Sequence, residues 1–522
     1  MQGPSIVVGL DFGTTFSGVA WALEGSIGDI EVLSSWPGGG NKTSMKVPSV
    51  ISYSGHSIQW GYQIGPLTEA CRGIKLLFYE DQETNYIPSI ASKSLLSRQG
   101  KDVVQVEEVI ERRLGVAIKD STLKFVLTVP AVWSDKAKDA TLRAAIKAGI
   151  PTQSVSHVSE PEAAALYAMR AIQPNSTAKR DVFIVCDAGG GTVDLISYMI
   201  KNLEPLFLVE VTVGRVCGSM LLDQRFEELL REKIGFDNYR ALSKKSKEAA
   251  VLYWQDRVKT NFAGKFDDDF VEVDYYIPVP GAKDDPKIPI EDGFVQLTSN
   301  DIEGIFDPIV QDTILLVGGF GASDYLFHRL QKANPSMIIL QPPNGWSAVV
   351  SGAVNNGLEG NKVESRVARR NYGVDYRTTY DPNHHKEDMK NWDSLEEVYE
   401  VDNQMRWYIK KHSDISEHKP IRMDFYRNIK VTDIDKMIFH DTLLFCNDED
   451  APDIKNARIM KLCEQEANLS QIPKKLFKRK RNSKGTEYWQ ILYTLKMTPT
   501  SASLLFELEF NGVPYGSVTS RY

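Results

Sequence analysis

Residues 182–194 read Val-Phe-Ile-Val-Cys-Asp-Ala-Gly-Gly-Gly-Thr-Val-Asp, and residues 6–17 read Ile-Val-Val-Gly-Leu-Asp-Phe-Gly-Thr-Thr-Phe-Ser. Each follows one plan: a short apolar run, at 5–10 and 181–186, is stopped by an aspartate-glycine turn. Short apolar runs bounded by turn residues read as buried strands. Both turns lead into more strand-like sequence, at 18–22 and 193–199. The unit of strand, Asp-Gly hairpin and strand therefore occurs twice, which is a diverged internal duplication.

The sequence around these units alternates strands and helices. A strand at 125–129 is closed by Pro130, and a helix at 135–148 ends at Gly149. A second helix at 161–171 carries Pro161 near its start, where a missing N–H is tolerated. A buried strand at 314–317 runs into Gly318-Gly319-Phe320-Gly321. Such alternation predicts an α/β design with a mostly parallel sheet covered on both faces. Residues 244–262 have helical periodicity, with Val251, Trp254, Val258 and Phe262 spaced by three and four. The polar stretch 265–293 contains one predicted strand, 271–277.

With 522 residues the chain exceeds one hydrophobic core. The character changes near residue 360, where a domain boundary is placed. Residues 1–360 form a two-lobed domain, lobe I about 1–180 and lobe II about 181–360. Residues 361–522 form an α+β C-terminal region that is β-rich toward its end. There 488–497 and 503–510 are expected to pair, and Asn511-Gly512 punctuates a turn. Charged sequence at 380–400 and the basic run 474–481 read as irregular or loop.

Composition narrows the function classes. Hydrophobic residues make up 42% and charged residues 25%, as in ordinary globular proteins. A net charge of -8 argues against a general nucleic-acid binder. Five scattered cysteines without a CxxC pair argue against a disulfide framework or zinc site. The N-terminus does not read as a signal peptide, and no apolar run has the length of a membrane span. The expected location is cytoplasmic, with nuclear import as a further reading of the basic run.

The two turns carry the chemistry. Glycine lets backbone N–H groups approach a phosphate without a Cβ in the way. Gly13, Thr14 and Thr15 form one jaw, and Gly189, Gly190, Gly191 and Thr192 the other. Asp11 and Asp187, each at a strand end, are placed to hold one shared Mg²⁺ ion, chiefly through waters. Neither a Gly-x4-Gly-Lys-Ser/Thr loop nor a strand-linked Gly-x-Gly-x-x-Gly is present, which disfavours P-loop and Rossmann sites.

Taken in order, residues 6–17, 182–194 and 314–323 resemble the phosphate-one, phosphate-two and adenosine motifs of DnaK-type heat-shock chaperones in the actin-like ATPase superfamily. Residues 125–131 (FVLTVPA) and 159–165 (SEPEAAA) resemble two further motifs, so the likeness covers roughly 5–360. It implies a duplicated actin-like, ribonuclease H-like fold with ATP or ADP and Mg²⁺ between its lobes. It implies catalytic roles for Lys75 at the γ-phosphate and for Glu160, Asp194 and Thr192 near the attacking water. Gly214 and Gly218 fall in a third glycine segment of the cleft, and Gly318 and Gly319 pass under the adenosine. Asp256 and Lys259 map to the adenine side, where Ala263 and Ala322 replace a family serine and arginine.

The connection 306–314 is shorter than the resemblance implies by about one helix. The expected function is an ATP-dependent, chaperone-like switch with slow hydrolysis. Its expected partners are protein clients or regulators, with no nucleic acid and no membrane. The alternatives are a nucleotide-binding scaffold with little turnover and a small-molecule kinase of the same superfamily.

Overall fold

The computed structural model describes residues 5–26, 28–53, 58–65, 68–78, 87–98, 122–172, 182–191, 193–203, 206–213, 220–262, 273–282, 290–310, 316–333, 339, 341–433 and 437–522. The chain divides into two compact units, Met1–Lys362 and Val363–Tyr522.

The first unit opens with a hairpin, β1 (Ser5–Asp11) and β2 (Phe16–Leu23), in antiparallel register that sets Asp11 opposite Gly18. Strand β3 (Thr122–Val129) runs parallel beside β1. Helix α1 (Asp135–Lys147) starts where Ser134 accepts the Ala137 N–H, a side-chain cap for one orphan donor. Gly149, at φ 95°, follows its end in the left-handed region that glycine enters freely. Strand β4 (Val155–Ser159) lies parallel to β3, and α2 (Glu160–Ile172) begins on the next residue. Glu160 therefore stands at a strand tip and at a helix N-terminus, where the dipole favours an anion. Val8, Leu10, Phe125, Leu127, Ala145 and Ile150 form the core behind these strands.

The plan repeats with β5 (Val182–Ala188), β6 (Val193–Leu203) and β7 (Leu206–Val213), joined antiparallel. Val317 takes the place beside β5 that β3 holds beside β1, bridging Asp187 in parallel. Ala188 N–H donates to the Val317 carbonyl at 2.8 Å, and Val317 N–H donates to the Cys186 carbonyl at 2.8 Å. A smaller sheet pairs β8 (Asp274–Pro278) antiparallel with β9 (Phe294–Thr298). Around the main sheet of this lobe lie α3 (Met220–Ile234), α4 (Lys244–Tyr253), α5 (Ser299–Val310) and α6 (Asp324–Ala333). Helix α4 passes into a π-helical turn, Trp254–Val258. Phe226 stacks on Trp254 at 4.7 Å between centroids, beside buried Phe306 and Tyr325. Aromatic pairs of this kind are worth about 0.5–1.5 kcal/mol beyond their burial.

Helix α7 (Ala348–Glu359) packs against both α2 and β1. The two lobes share the actin-like ATPase fold: a repeated hairpin-plus-parallel-strand sheet, with helices about it. Helix α5 reaches Val310, and residues 311–315 lie outside the described residues, so the short connection is described only at its two ends.

The second unit is a β-sandwich. One sheet contains β10 (Asn371–Thr379), with β11 (Val398–Ile409) on one side. The other sheet contains β12 (Ile421–Lys430). Strand β13 (Ile438–Cys446) flanks β10 on its far side and pairs with β14 (Met460–Asn468). Strand β15 (Lys478–Arg481) and β12 both pair with β16 (Glu487–Pro499), which pairs in turn with β17 (Leu504–Phe510). The expected pairing of the last two long strands is thus present. Val374, Leu443 and Cys463 meet Met423, Ile491, Leu495 and Phe506 in one core. A polar staple crosses it: the Tyr493 hydroxyl donates to Asp441 Oδ2 at 2.5 Å, and Arg427 pairs with the other oxygen. Among the described residues the helical content of this unit is confined to 3₁₀ turns.

Two sequence expectations are corrected here. The stretch 380–400 is not irregular throughout: Lys390–Asp393 is a strand that sets Trp392 opposite Tyr399. The basic run is not a loop. Lys478–Arg481 is strand β15, with Arg479 paired to Glu487 and Lys480 to Glu396. No helix among the described residues is long and apolar enough to cross a membrane.

Candidate functional site

Both aspartates that end the duplicated strands are buried, each 5% exposed. Asp11 Oδ2 accepts from Lys46 Nζ at 2.6 Å, and Oδ1 accepts from the Thr128 hydroxyl at 3.2 Å. Burial alone would raise the Asp11 pKa, but Lys46 and then Lys75 hold it below the usual carboxylate range. Asp187 has the opposite balance. Burial, then the charges of Asp11 and Asp194, push it up to about 7.

The phosphate turns meet face to face. A Cβ on Gly190 would lie 2.2 Å from Thr15 Oγ1, and one on Gly191 would lie 2.5 Å from Thr14 Oγ1. Only glycine fits at so close an approach. Gly318 adjoins them: at φ +86°, its missing Cβ would fall 2.4 Å from Asp187 Oδ1. Gly319 lies under Trp346, whose ring meets Phe16 edge-on at 5.7 Å.

Lys75 is buried in the 3₁₀ segment Ile74–Phe78, only 3% exposed. Its ammonium donates to Glu160 Oε1 and stands 5.5 Å from the centroid of the Trp133 ring. Burial would lower the Lys75 pKa, yet Glu160, Asp11 and Asp187 together hold it above its ordinary value. Burial, opposed by Lys75 and reinforced by the three aspartates, pushes Glu160 up to about 8. The two shifts pull against each other across one contact. The direction that geometry supports is a charged Lys75, because it faces carboxylates from both lobes. Asp194 is buried and accepts the Val132 N–H at 3.0 Å, joining lobe II to the loop after β3.

The structure thus brings together Asp11, Gly13, Thr14, Thr15, Lys75 and Glu160 from lobe I with Asp187, Gly190, Gly191, Asp194, Gly318 and Gly319 from lobe II. Gly189 lies between Asp187 and this pair of glycines. Thr192, Gly214 and Gly218 lie outside the described residues. Asp256 is exposed on the π-turn, and Lys259 pairs with Asp223 at 2.9 Å, alongside the Trp254 indole N–H on the same oxygen.

Lys46 escapes a sequence reading. It sits in a polar stretch outside any motif, and its partner is 35 residues away. Behind Asp11 is an apolar cavity of 180 Å³ whose walls include Leu10, Phe12, Trp36, Phe78, Leu127 and Ala145.

Hard oxygen donors and the unbalanced negative charge that raises Asp187 suit a magnesium ion. Among the described residues no three acidic, His or Cys side chains converge to bind a metal directly. Asp11 and Asp187 would hold such an ion, through waters in the manner that the resemblance implies.

Comparisons with known proteins point to one family. A family model described as Hsp70 protein matches residues 97–257. Heat shock 70 kDa protein 12A of Homo sapiens is 23% identical over 505 residues, covering 72% of each chain. The chaperone protein HscA homolog of Pseudoalteromonas atlantica is 27% identical over 293 residues, 52% of this chain and 43% of that one. Chaperone protein DnaK of Thermotoga petrophila is 30% identical over 240 residues, 44% of this chain and 36% of that one. The fold and its facing glycine turns are those of the actin-like ATPase fold class. Within that class the chain is a divergent Hsp70-like protein.

Proposed function

We propose that the first unit binds ATP between its lobes and hydrolyses it slowly to ADP and phosphate, as the motor of a chaperone-like switch. One observation supports this above others. Asp11, Asp187, Asp194 and Glu160 are all buried, and Lys46 and Lys75 with them, beside two glycine-threonine turns. Burying so many ionisable groups is unfavourable unless a ligand or metal repays it, so the cluster reads as a site built for a charged ligand.

In this reading backbone N–H groups of Gly13 to Thr15 and Gly189 to Gly191 hold the phosphates. Lys75 neutralises charge on the terminal phosphate. Glu160 and Asp194 orient the attacking water, and Thr192 is assigned a place beside it by resemblance alone. A magnesium ion, held by Asp11 and Asp187 through waters, would supply further neutralisation of phosphate charge. The jaws touch in the structure, so phosphate entry requires the lobes to part and then close. Gly318, Gly319 and Trp346 line the nucleoside end, and Gly214 and Gly218 are assigned to the cleft by resemblance alone. The second unit is taken to sense the change and to meet protein clients or regulators in the cytoplasm.

ATP turnover by the purified protein, with Asp11→Ala and Lys75→Ala as controls, tests this. Turnover lost in both variants supports the switch. A second reading, a nucleotide-binding scaffold with little turnover, is favoured by the adenine side, where Lys259 is engaged by Asp223. ATP binding without turnover would select it.

A further inference from the structure

We infer that Lys46 is a tethered counter-ion of the phosphate cradle, sharing the charge-neutralising task of magnesium and lowering the metal dependence of nucleotide binding. This deepens the nucleotide reading above and rests on it.

The contact is built rather than incidental. Lys46 and Asp11 side chains are 7% and 6% exposed, so water does little to screen their attraction. The backbone of Lys46 is held from two sides: the Ser44 hydroxyl donates to its carbonyl at 2.7 Å and the Tyr62 hydroxyl at 3.2 Å. Ser44 is itself fixed, its carbonyl accepting the Trp36 indole N–H at 2.6 Å. The aliphatic stem crosses the face of Gly18, whose missing Cβ would stand 3.4 Å from the lysine Cγ. The residue opposite Asp11 is thus small, and the lysine uses that space.

The duplicated hairpins differ at this point. Opposite Asp187 the second hairpin carries Asp194, while opposite Asp11 the first carries Gly18 with Lys46 over it. Lobe I therefore brings its own positive charge, and lobe II brings a surplus of negative charge. With every group ionised, two lysines against four carboxylates leave a net charge of −2. Without Lys46 the same sum is −3, and an incoming polyphosphate would meet Asp11 unneutralised unless a divalent ion came with it.

The experiment is calorimetric titration of the full chain with ATP, once in magnesium buffer and once in EDTA. The quantity read is the ratio of the two dissociation constants. Lys46→Met is expected to raise that ratio by about tenfold or more over wild type. Lys46→Arg, which keeps the charge, should leave it within about threefold. If Lys46→Met does not fold, Lys46→Gln carries the same comparison. A ratio unchanged in the uncharged variant would overturn the inference while leaving the nucleotide reading intact. No ATP binding by wild type in either buffer would overturn both.

Discussion

Asp187 and Asp194 stand directly opposite each other across an antiparallel strand pair, like charge facing like charge in a buried position. Directly opposed like charges destabilise a sheet. Asp194 also accepts the Val132 N–H, which an asparagine carbonyl could equally do. Asp194→Asn should therefore stabilise the nucleotide-free protein, by roughly 1 kcal/mol or a few degrees in Tm. The same change should cut ATP turnover at least about tenfold. Calorimetry and a phosphate-release assay on one preparation check both halves, and a fall in Tm would refute the charge argument.

The Lys75–Glu160 pair leads to a larger effect. Removing one partner of a buried pair leaves an uncompensated charge and costs about 3–5 kcal/mol. Lys75→Met alone is expected to show a loss of that order in urea denaturation, because Glu160 is 5% exposed. The double variant Lys75→Met/Glu160→Gln should recover most of it. Equal losses in the single and double variants would mean that the pair is not coupled.

His157 gives the protein an acid-sensitive point. Its Nε2 is shielded from solvent and has no hydrogen-bond partner among the described residues. Burial, then the charge of Lys138, lowers its pKa from 6.5 to about 4. The folded state thus prefers the neutral ring. That preference contributes stability at pH above 6.5 and is lost as pH falls through about 4, on the order of 2 kcal/mol. Thermal melts across that window should show the decline, and His157→Gln should flatten it.

In the second unit, Tyr493→Phe removes the hydroxyl that donates to buried Asp441. Leaving a buried acceptor short of a partner costs about 1–3 kcal/mol. A denaturation midpoint unchanged from wild type would show that the staple between the two sheets carries no stability.

Asp11 and Asp187 were legible because each closes an apolar run at a glycine turn, a signal that is local in sequence. The repeat of that signal was enough to expect two lobes. Lys75 was less legible, since what makes it special is Glu160, 85 residues away. Lys46 was not legible at all, for the same reason and without a motif to draw attention to it. The resemblance maps Asp256 and Lys259 to the adenine side; in the fold Asp256 is exposed and Lys259 pairs with Asp223, a partner 36 residues away that no motif announces. The sandwich hid because its strands do not alternate cleanly. In β11 the buried positions fall in adjacent pairs, with a register shift against β10, so period two fails there.

The apolar pocket beside Asp11 leaves one flank of the phosphate strand without packed neighbours. A side chain that lines an open pocket forgoes the dispersion contacts that a filled core would give it. Leu10 and Phe12 line that flank, next to the carboxylate that Lys46 holds. The strand that carries Asp11 therefore relies on its hydrogen bonds to β2 and β3 more than on packing across that face.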